Sequence, residues 1–478
     1  MKTHTNFATE IATKTHLESH NIPAKKLGKT NLYCSPAGFG SYRILPNIPH
    51  HRDALRHALL SGINLVDTSA NYTFGGSEQL IGDTLREHIG TGTLNRDAIV
   101  VVTKGGYMQD PKTEESIHSL DPEDLENELD ESLERLGLET IDIYLLHNPE
   151  TYFESDSDIN GYYHMIETAC RYLETEVKKG RIQYYGISSN TFPAPATQPN
   201  ATSLKRILDI VEKNDFDHFA VIEFPMNLFE TDAATEHHTE ESSLIQLAAE
   251  HQIATLVNRP LNAIINDTLY RLIDFPETTP TTPEEVAYYL KRLEKKEAEL
   301  IDSVLDQDGI PEEASYAIKK QFGIGHFLTE NWETIPSYEH WKDALEHAVF
   351  PHIEIGIGLL TKNGEMPPHC ANWLQGYLQI LAVATQHLTA HFKQEKQRSC
   401  HHIKDITETL QPAWTADSLA HVALKALYST YGISCVLVGM REVPYVDDIL
   451  ASFKNIPYSE DHTAAWLDIK EQLPSLCQ

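Results

Sequence analysis

The sequence predicts an α/β fold, a (β/α)8 TIM barrel that carries a large, mainly helical insertion after strand 7. Three observations predict it. Strand-like apolar runs alternate with amphipathic stretches, eight such runs can be counted, and about 150 residues separate the seventh from the helix leading to the eighth. The runs span 37–41, 64–68, 98–104, 141–147, 182–188, 219–225, 254–258 and 434–439. Helices between them carry their own signals. Asp121 reads as an N-cap followed by Pro122 at N1, with Leu125, Leu129, Leu133 and Leu136 on one face.

The expected division is an N-terminal extension over 1–25, a barrel over 26–264 and 412–478, and a helical insertion over 265–411. The Thr/Pro-rich stretch 277–283 reads as its entry linker. Pro283 then opens a helix whose apolar positions are Val286, Leu290, Leu293, Leu300 and Val304, and Trp341, Leu345, Trp373 and Leu374 suggest further packed helices. An insertion in a βα loop leaves from the catalytic face of a barrel, so a lid or specificity module is expected. Passive packing is the alternative, and its apolar face also suits homo-oligomerisation.

Composition narrows the function classes. Of 478 residues 41% are hydrophobic and 9% aromatic, enough for a large core. Seventy acidic against 38 basic residues give a formal charge of -32, which disfavours nucleic acid and anionic membrane surfaces as partners. Six cysteines without a CxxC pair indicate neither a zinc ribbon nor a disulfide framework. The clusters Glu236-His237-His238 and Cys400-His401-His402 lack the separated pairs of a tetrahedral site, so no metal is expected. The first residues lack a secretory apolar region and no apolar run reaches the ~20 residues of a membrane span, so a cytoplasmic location is expected.

Four residues at the ends of strand-like runs suit proton transfer: Asp67 and Tyr72 after the second run, Lys104 at the end of the third and His147 at the end of the fourth. A phenol has a reference pKa of about 10, so a Tyr that protonates an alkoxide needs a cation beside it. Lys104 can be that cation, Asp67 can hold its ammonium, and His147 can hydrogen-bond the substrate oxygen or share the proton.

These segments resemble the signature blocks of the aldo-keto reductase superfamily, in the same order. The blocks are NLVDTSANYTFGGSEQLIG from Asn64, VVTKGG around Lys104, YLLHNPE around His147 and GRIQYYGISSN from Gly180 to Asn190, with LGKTNLYCSPAGFG from Leu27 similar to the entry hairpin and first strand. The resemblance covers roughly 26–260 and 416–450. It implies a nicotinamide cofactor, NADP(H) with NAD(H) as the alternative, held across the barrel mouth. No GxGxxG fingerprint occurs in the chain.

Residue by residue, the resemblance places Gly40, Ser41 and Tyr42 beside the nicotinamide together with Asp67. Ser188 and Ser189 stand where a Ser-Asn pair grips the carboxamide, Glu223 where a Gln is usual, and Asn258 where an aromatic often stacks on the ring, followed by Arg259 and Leu261. Gly439, Arg441 and Asp448 resemble the phosphate and adenine segment, with Ile449 in place of the usual Asn. Arg441 suits a phosphate because guanidinium matches its oxygens bidentately.

The expected activity is hydride transfer between NADP(H) and an aldehyde, ketone or sugar and its alcohol, with Tyr72 as proton donor. The competing expectation is a cofactor-binding regulatory or interaction protein with little turnover, suggested by Glu223, Asn258 and the insertion. Nothing in the four residues selects a substrate or a direction.

Overall fold

The computed structural model describes residues 6–109, 116–195, 197–239, 241–265, 268–275, 279–300, 305, 312–361 and 365–473. Val304 and residues 277 and 278 of the expected linker lie outside the described residues.

Eight parallel strands close a barrel in chain order: β1 (Ala37–Gly40), β2 (Leu65–Asp67), β3 (Val100–Gly105), β4 (Ile141–His147), β5 (Ile182–Ser188), β6 (Phe219–Pro225), β7 (Ala254–Asn258) and β8 (Cys435–Gly439), which returns to β1. Each lies within two residues of its expected run. Crossover helices follow the strands: α1 (Pro49–Leu60), α2 (Gly76–Gly90), α3 (Pro122–Leu136), α4 (Ile159–Lys178), α5 (Leu204–Lys213), α6 (Leu244–Glu250), α7 (Leu419–Ser429) and α8 (Val443–Ser452). Both faces of a strand are therefore covered, and β3 and β4 are buried along their whole length. At Gly186 a Cβ would come within 1.7 Å of the Val221 carbonyl oxygen, so the approach of β5 to β6 requires glycine. Asp121 occupies the N-cap of α3, but its side chain makes no capping bond, because Ser119 Oγ accepts from the Asp121 N–H and donates to Asp124 instead.

Side chains alternate across a strand, so every second residue points into the barrel. Toward the base these positions are apolar: Leu65, Val100, Val102, Ile143, Leu145, Val221 and Leu256 belong to one buried cluster. Two residues further along the same strands the same face carries Asp67, Lys104, His147, Glu223 and Asn258. This switch from apolar to charged marks the C-terminal mouth.

The base is closed by chain that the sequence suggests is an extension. Ala8 joins the interior cluster with Leu27 and Leu32. The helix Glu10–Ser19 follows, and Thr13 Oγ1 accepts from the Tyr33 amide at 3.1 Å. Buried Asp142 on β4 organises this end, accepting from Arg96 at 2.9 Å, Val101 N at 2.8 Å, and Ala8 N and Gln183 Nε2 at 2.7 Å each. An Asn here would turn an amide N–H₂ toward donors, so Asp142→Asn should cost about 1–3 kcal/mol, read as a lower urea midpoint with unchanged slope. An unaltered midpoint would contradict the assignment.

The contacts divide the chain into two compact units, 1–273 with 404–478, and 274–403. The second leaves the chain after β7 and is helical: Pro283–Glu299, Glu312–Gln321, Ile324–Asn331, Tyr338–Ala344, Phe350–Leu360 and much of Pro368–Leu410. Thr282 and Glu285 form a capping box at its start. Val286, Leu290, Leu293, Trp341, Trp373 and Tyr377 share a core of its own, and the two buried indoles donate to Thr389 Oγ1 and the Lys296 carbonyl at 2.9 Å.

Candidate active site

Lys104 is the centre of the mouth. It is buried, and its Nζ lies 2.5 Å from Asp67 Oδ1, 3.1 Å from the Thr68 carbonyl, 3.2 Å from Glu223 Oε2 and 3.4 Å from the Tyr72 hydroxyl. The register explains the first contact, since β2 and β3 are neighbours with Asp67 opposite Val102, one inward step before Lys104. Glu223 reaches Lys104 from β6, across the mouth. Its other oxygen accepts from Asn258 Nδ2 at 2.9 Å, and β6 and β7 are paired. Asp67, Lys104, Glu223 and Asn258 thus form one polar chain.

Tyr72 is half-buried on the loop after β2, where Tyr42 packs edge-on against its ring with centroids 5.1 Å apart. His147 faces it at a centroid separation of 6.0 Å. Ser69 Oγ lies 3.0 Å from His147 Nδ1, and Tyr107 packs edge-on to the same imidazole at 5.0 Å. Ser69 and Tyr107 were not legible as site residues: Ser69 sits in the same block as Asp67 and Tyr72, but nothing local ties it to a histidine 78 positions away.

The charges follow from these distances. Burial alone would lower the Lys104 pKa, but Asp67 and then Glu223 more than reverse it and keep the ammonium charged. The Asp67 carboxyl is pushed up by burial and then by Glu223, with Lys104 opposing. His147 is driven far below its usual value by burial, then by Lys104 and His118, so it is neutral at neutral pH. Burial raises the Tyr72 phenol; Lys104 opposes this, while Asp67 and Glu223 add to it. Tyr72 therefore holds its proton, next to a cation that can receive the charge left when the proton moves.

The other expected residues divide. Gly40 pairs with both Asp67 and Gly439 at the barrel rim. Ser41 is buried and turned into the wall, donating to the Asp67 carbonyl at 2.6 Å and accepting from Ser77. Ser188 ends β5 opposite His147. The Ser189 hydroxyl meets Thr202 at 3.0 Å and Thr191 at 3.2 Å, in a hydroxyl cluster. Arg259 pairs with Glu230 at 2.5 Å and not with Glu223. Leu261 accepts from the Leu272 amide beside the antiparallel strand pair Asn262–Ile265 and Thr268–Arg271.

Arg441 is exposed before α8 and has no ion-pair partner among the described residues, because Asp447 is taken by His57 at 2.7 Å and Asp448 by His421 at 3.0 Å. Two features suit a nicotinamide dinucleotide: this unpaired guanidinium, and the Asn258 Oδ1 acceptor, which is buried without a hydrogen-bond partner. Among the described residues no group of three or more His, Cys, Asp or Glu is placed to hold a metal ion, and no helix is long and apolar enough to cross a membrane.

The sequence model of the Aldo/keto reductase family matches residues 39–301, more than half of the chain. The chain belongs to that family. Among curated relatives, it is 32% identical over 174 residues to the aldo-keto reductase yakc [NADP(+)] of Schizosaccharomyces pombe, covering 35% of this chain and 46% of that protein. It is 32% identical over 137 residues to the NADH-specific methylglyoxal reductase of Escherichia coli, covering 25% and 40%. The chain thus spans less than half the length of these two relatives. Among solved structures, the holo form of the aldo-keto reductase AKR11C1 from Bacillus halodurans aligns with a TM-score of 0.47 at 16% identity, over 94% of this chain and 96% of that one.

Proposed function

We propose that this aldo/keto reductase family member interconverts a carbonyl and an alcohol with NADP(H), NAD(H) being the alternative. The observation that carries the reading is Lys104 Nζ held between Asp67 and the Tyr72 hydroxyl, in a buried mouth beside a neutral His147. The cofactor, when bound, supplies or accepts the hydride. Tyr72 gives its proton to the substrate oxygen in reduction and takes it back in oxidation. Lys104 balances the phenolate that this leaves, and Asp67 fixes Lys104. With Ser69 Oγ donating to its Nδ1, neutral His147 can donate one hydrogen bond from Nε2 to the substrate oxygen without placing a second cation beside Lys104. Small aldehydes, ketones and sugars are the proposed substrate class. The curated relatives include a 6-dehydroglucose reductase and a D-threo-aldose 1-dehydrogenase. The unit 274–403 is proposed to select substrate or mediate self-association, and a cytoplasmic location belongs to the same reading.

The test is NADPH oxidation against a carbonyl panel and NADP+ reduction against the matching alcohols, beside cofactor-binding fluorescence. Turnover in either direction supports the reading. Binding without turnover on any member would favour a cofactor-sensing role.

Arg441 is the proposed contact to the phosphate that distinguishes NADPH from NADH. Arg441→Ala should weaken NADPH about ten- to hundredfold and leave NADH nearly unchanged, because a charged phosphate contact is worth roughly one to two decades. Equal losses for the two cofactors would place Arg441 on a group they share.

A further inference from the structure

The mouth holds one cation and two carboxylates. Lys104 lies within ion-pair distance of both Asp67 and Glu223, and neither carboxylate has another cationic partner among the described residues. All three side chains are buried. Burial and Glu223 push the Asp67 carboxyl up to about 8, so above that pH all three are ionised and the cluster carries one negative charge in excess. Such a charge is costly in a buried site unless something positive arrives to offset it. His147 does not serve, because it is neutral, and Arg259, the residue after Asn258, is spent on Glu230.

A nicotinamide ring is a cation when oxidised and neutral when reduced. Resting on the cofactor reading above, we propose that Glu223 sets the redox preference of the site: its carboxylate favours NADP+ over NADPH and shifts the bound equilibrium toward alcohol oxidation. The physical basis is placement. Glu223 projects from the inward face of β6 at the same level as Lys104, with Asn258 holding one oxygen at 2.9 Å and Lys104 the other at 3.2 Å. Asp67 alone would neutralise Lys104. The second carboxylate adds a charge that only the oxidised ring compensates. Two unit charges several ångströms apart at an effective dielectric constant of about 20 interact strongly enough to move a binding ratio by roughly ten- to a hundredfold.

Glu223→Gln is a clean probe because the amide has partners for both its groups. Its oxygen can accept from Lys104, and its N–H₂ can donate to Asn258 Oδ1 once the Asn258 amide, whose Nδ2 faces Glu223 in the wild type, turns over. Glu223→Asp keeps the charge and serves as its control.

Dissociation constants of NADPH and NADP+ should be measured by fluorescence titration and calorimetry on the full chain at about pH 9, above the Asp67 value of about 8, for wild type and both variants. In the wild type NADP+ should bind at least as tightly as NADPH. In Glu223→Gln the ratio should swing toward NADPH by about tenfold or more, and Glu223→Asp should stay near the wild type. An unchanged ratio in Glu223→Gln, with both cofactors still bound, would overturn the role of Glu223 and leave the cofactor reading standing. If the Gln variant fails to fold, the wild-type ratio still decides, since clear preference for NADPH contradicts the proposal. Failure of the wild type to bind either form would overturn both.

Discussion

Tyr72→Phe should lower turnover by about 10²–10⁴-fold in both directions while leaving cofactor affinity within a few fold of the wild type. Only the hydroxyl is removed. The ring that packs against Tyr42 and faces His147 remains, so the shape of the mouth is preserved. The lost step is proton delivery to the substrate oxygen, which neutral His147 cannot replace at equal rate because the Lys104 ammonium makes its hydrogen bond to the Tyr72 hydroxyl, the group that must carry the charge. A steady-state comparison on one good substrate checks this. Turnover within a few fold of the wild type would remove Tyr72 from the chemistry.

Lys104→Met should damage both activity and fold. The variant leaves Asp67 and Glu223 buried together with no cation between them, and breaking a buried ion pair from one side costs about 3–5 kcal/mol. The carboxylates respond by binding a proton. Their folded-state pKa then exceeds the unfolded value, so the folded state binds more protons, and the stability of the variant should fall as pH rises and recover as pH is lowered. Adding Glu223→Gln should restore part of the loss, because one of the two orphaned charges is gone; a double-mutant cycle measures the coupling. Turnover should drop about as far as in Tyr72→Phe and should not return with the second change, since the phenol still lacks its cation. Additive stability losses would show that Glu223 and Lys104 do not interact in solution.

The contrast between these residues explains what a single sequence makes legible. The barrel strands were readable within two residues because their signal is local: apolar runs such as 98–102 between amphipathic helices. Asp67, Tyr72, Lys104 and His147 were readable because each ends such a run or follows it closely, and the barrel brings the strand ends to one face. The ion pair from Glu223 to Lys104 was not legible, since it joins β6 to β3 across the mouth and no local pattern records a diagonal contact. The same holds for Ser69 on His147 and for Arg259 on Glu230, which join residues far apart in the sequence. Asp142 reads as a polar break in a strand, and its four donors come from three separate stretches of chain. Ser189 and Ser41 show the opposite limit: the resemblance places them at the cofactor, while their hydroxyls are turned toward other protein groups.

The central claim is hydride transfer at this mouth, and the most direct measurement follows the hydride itself. The full chain should be incubated with NADPH carrying deuterium at both C4 positions of the nicotinamide and with the carbonyl panel, and the alcohol product read by mass spectrometry and NMR. Deuterium is expected on the carbinol carbon, in the wild type at a rate that Tyr72→Phe lowers by about two to four decades. Cofactor that binds but yields no deuterated alcohol from any member of the panel would contradict the claim.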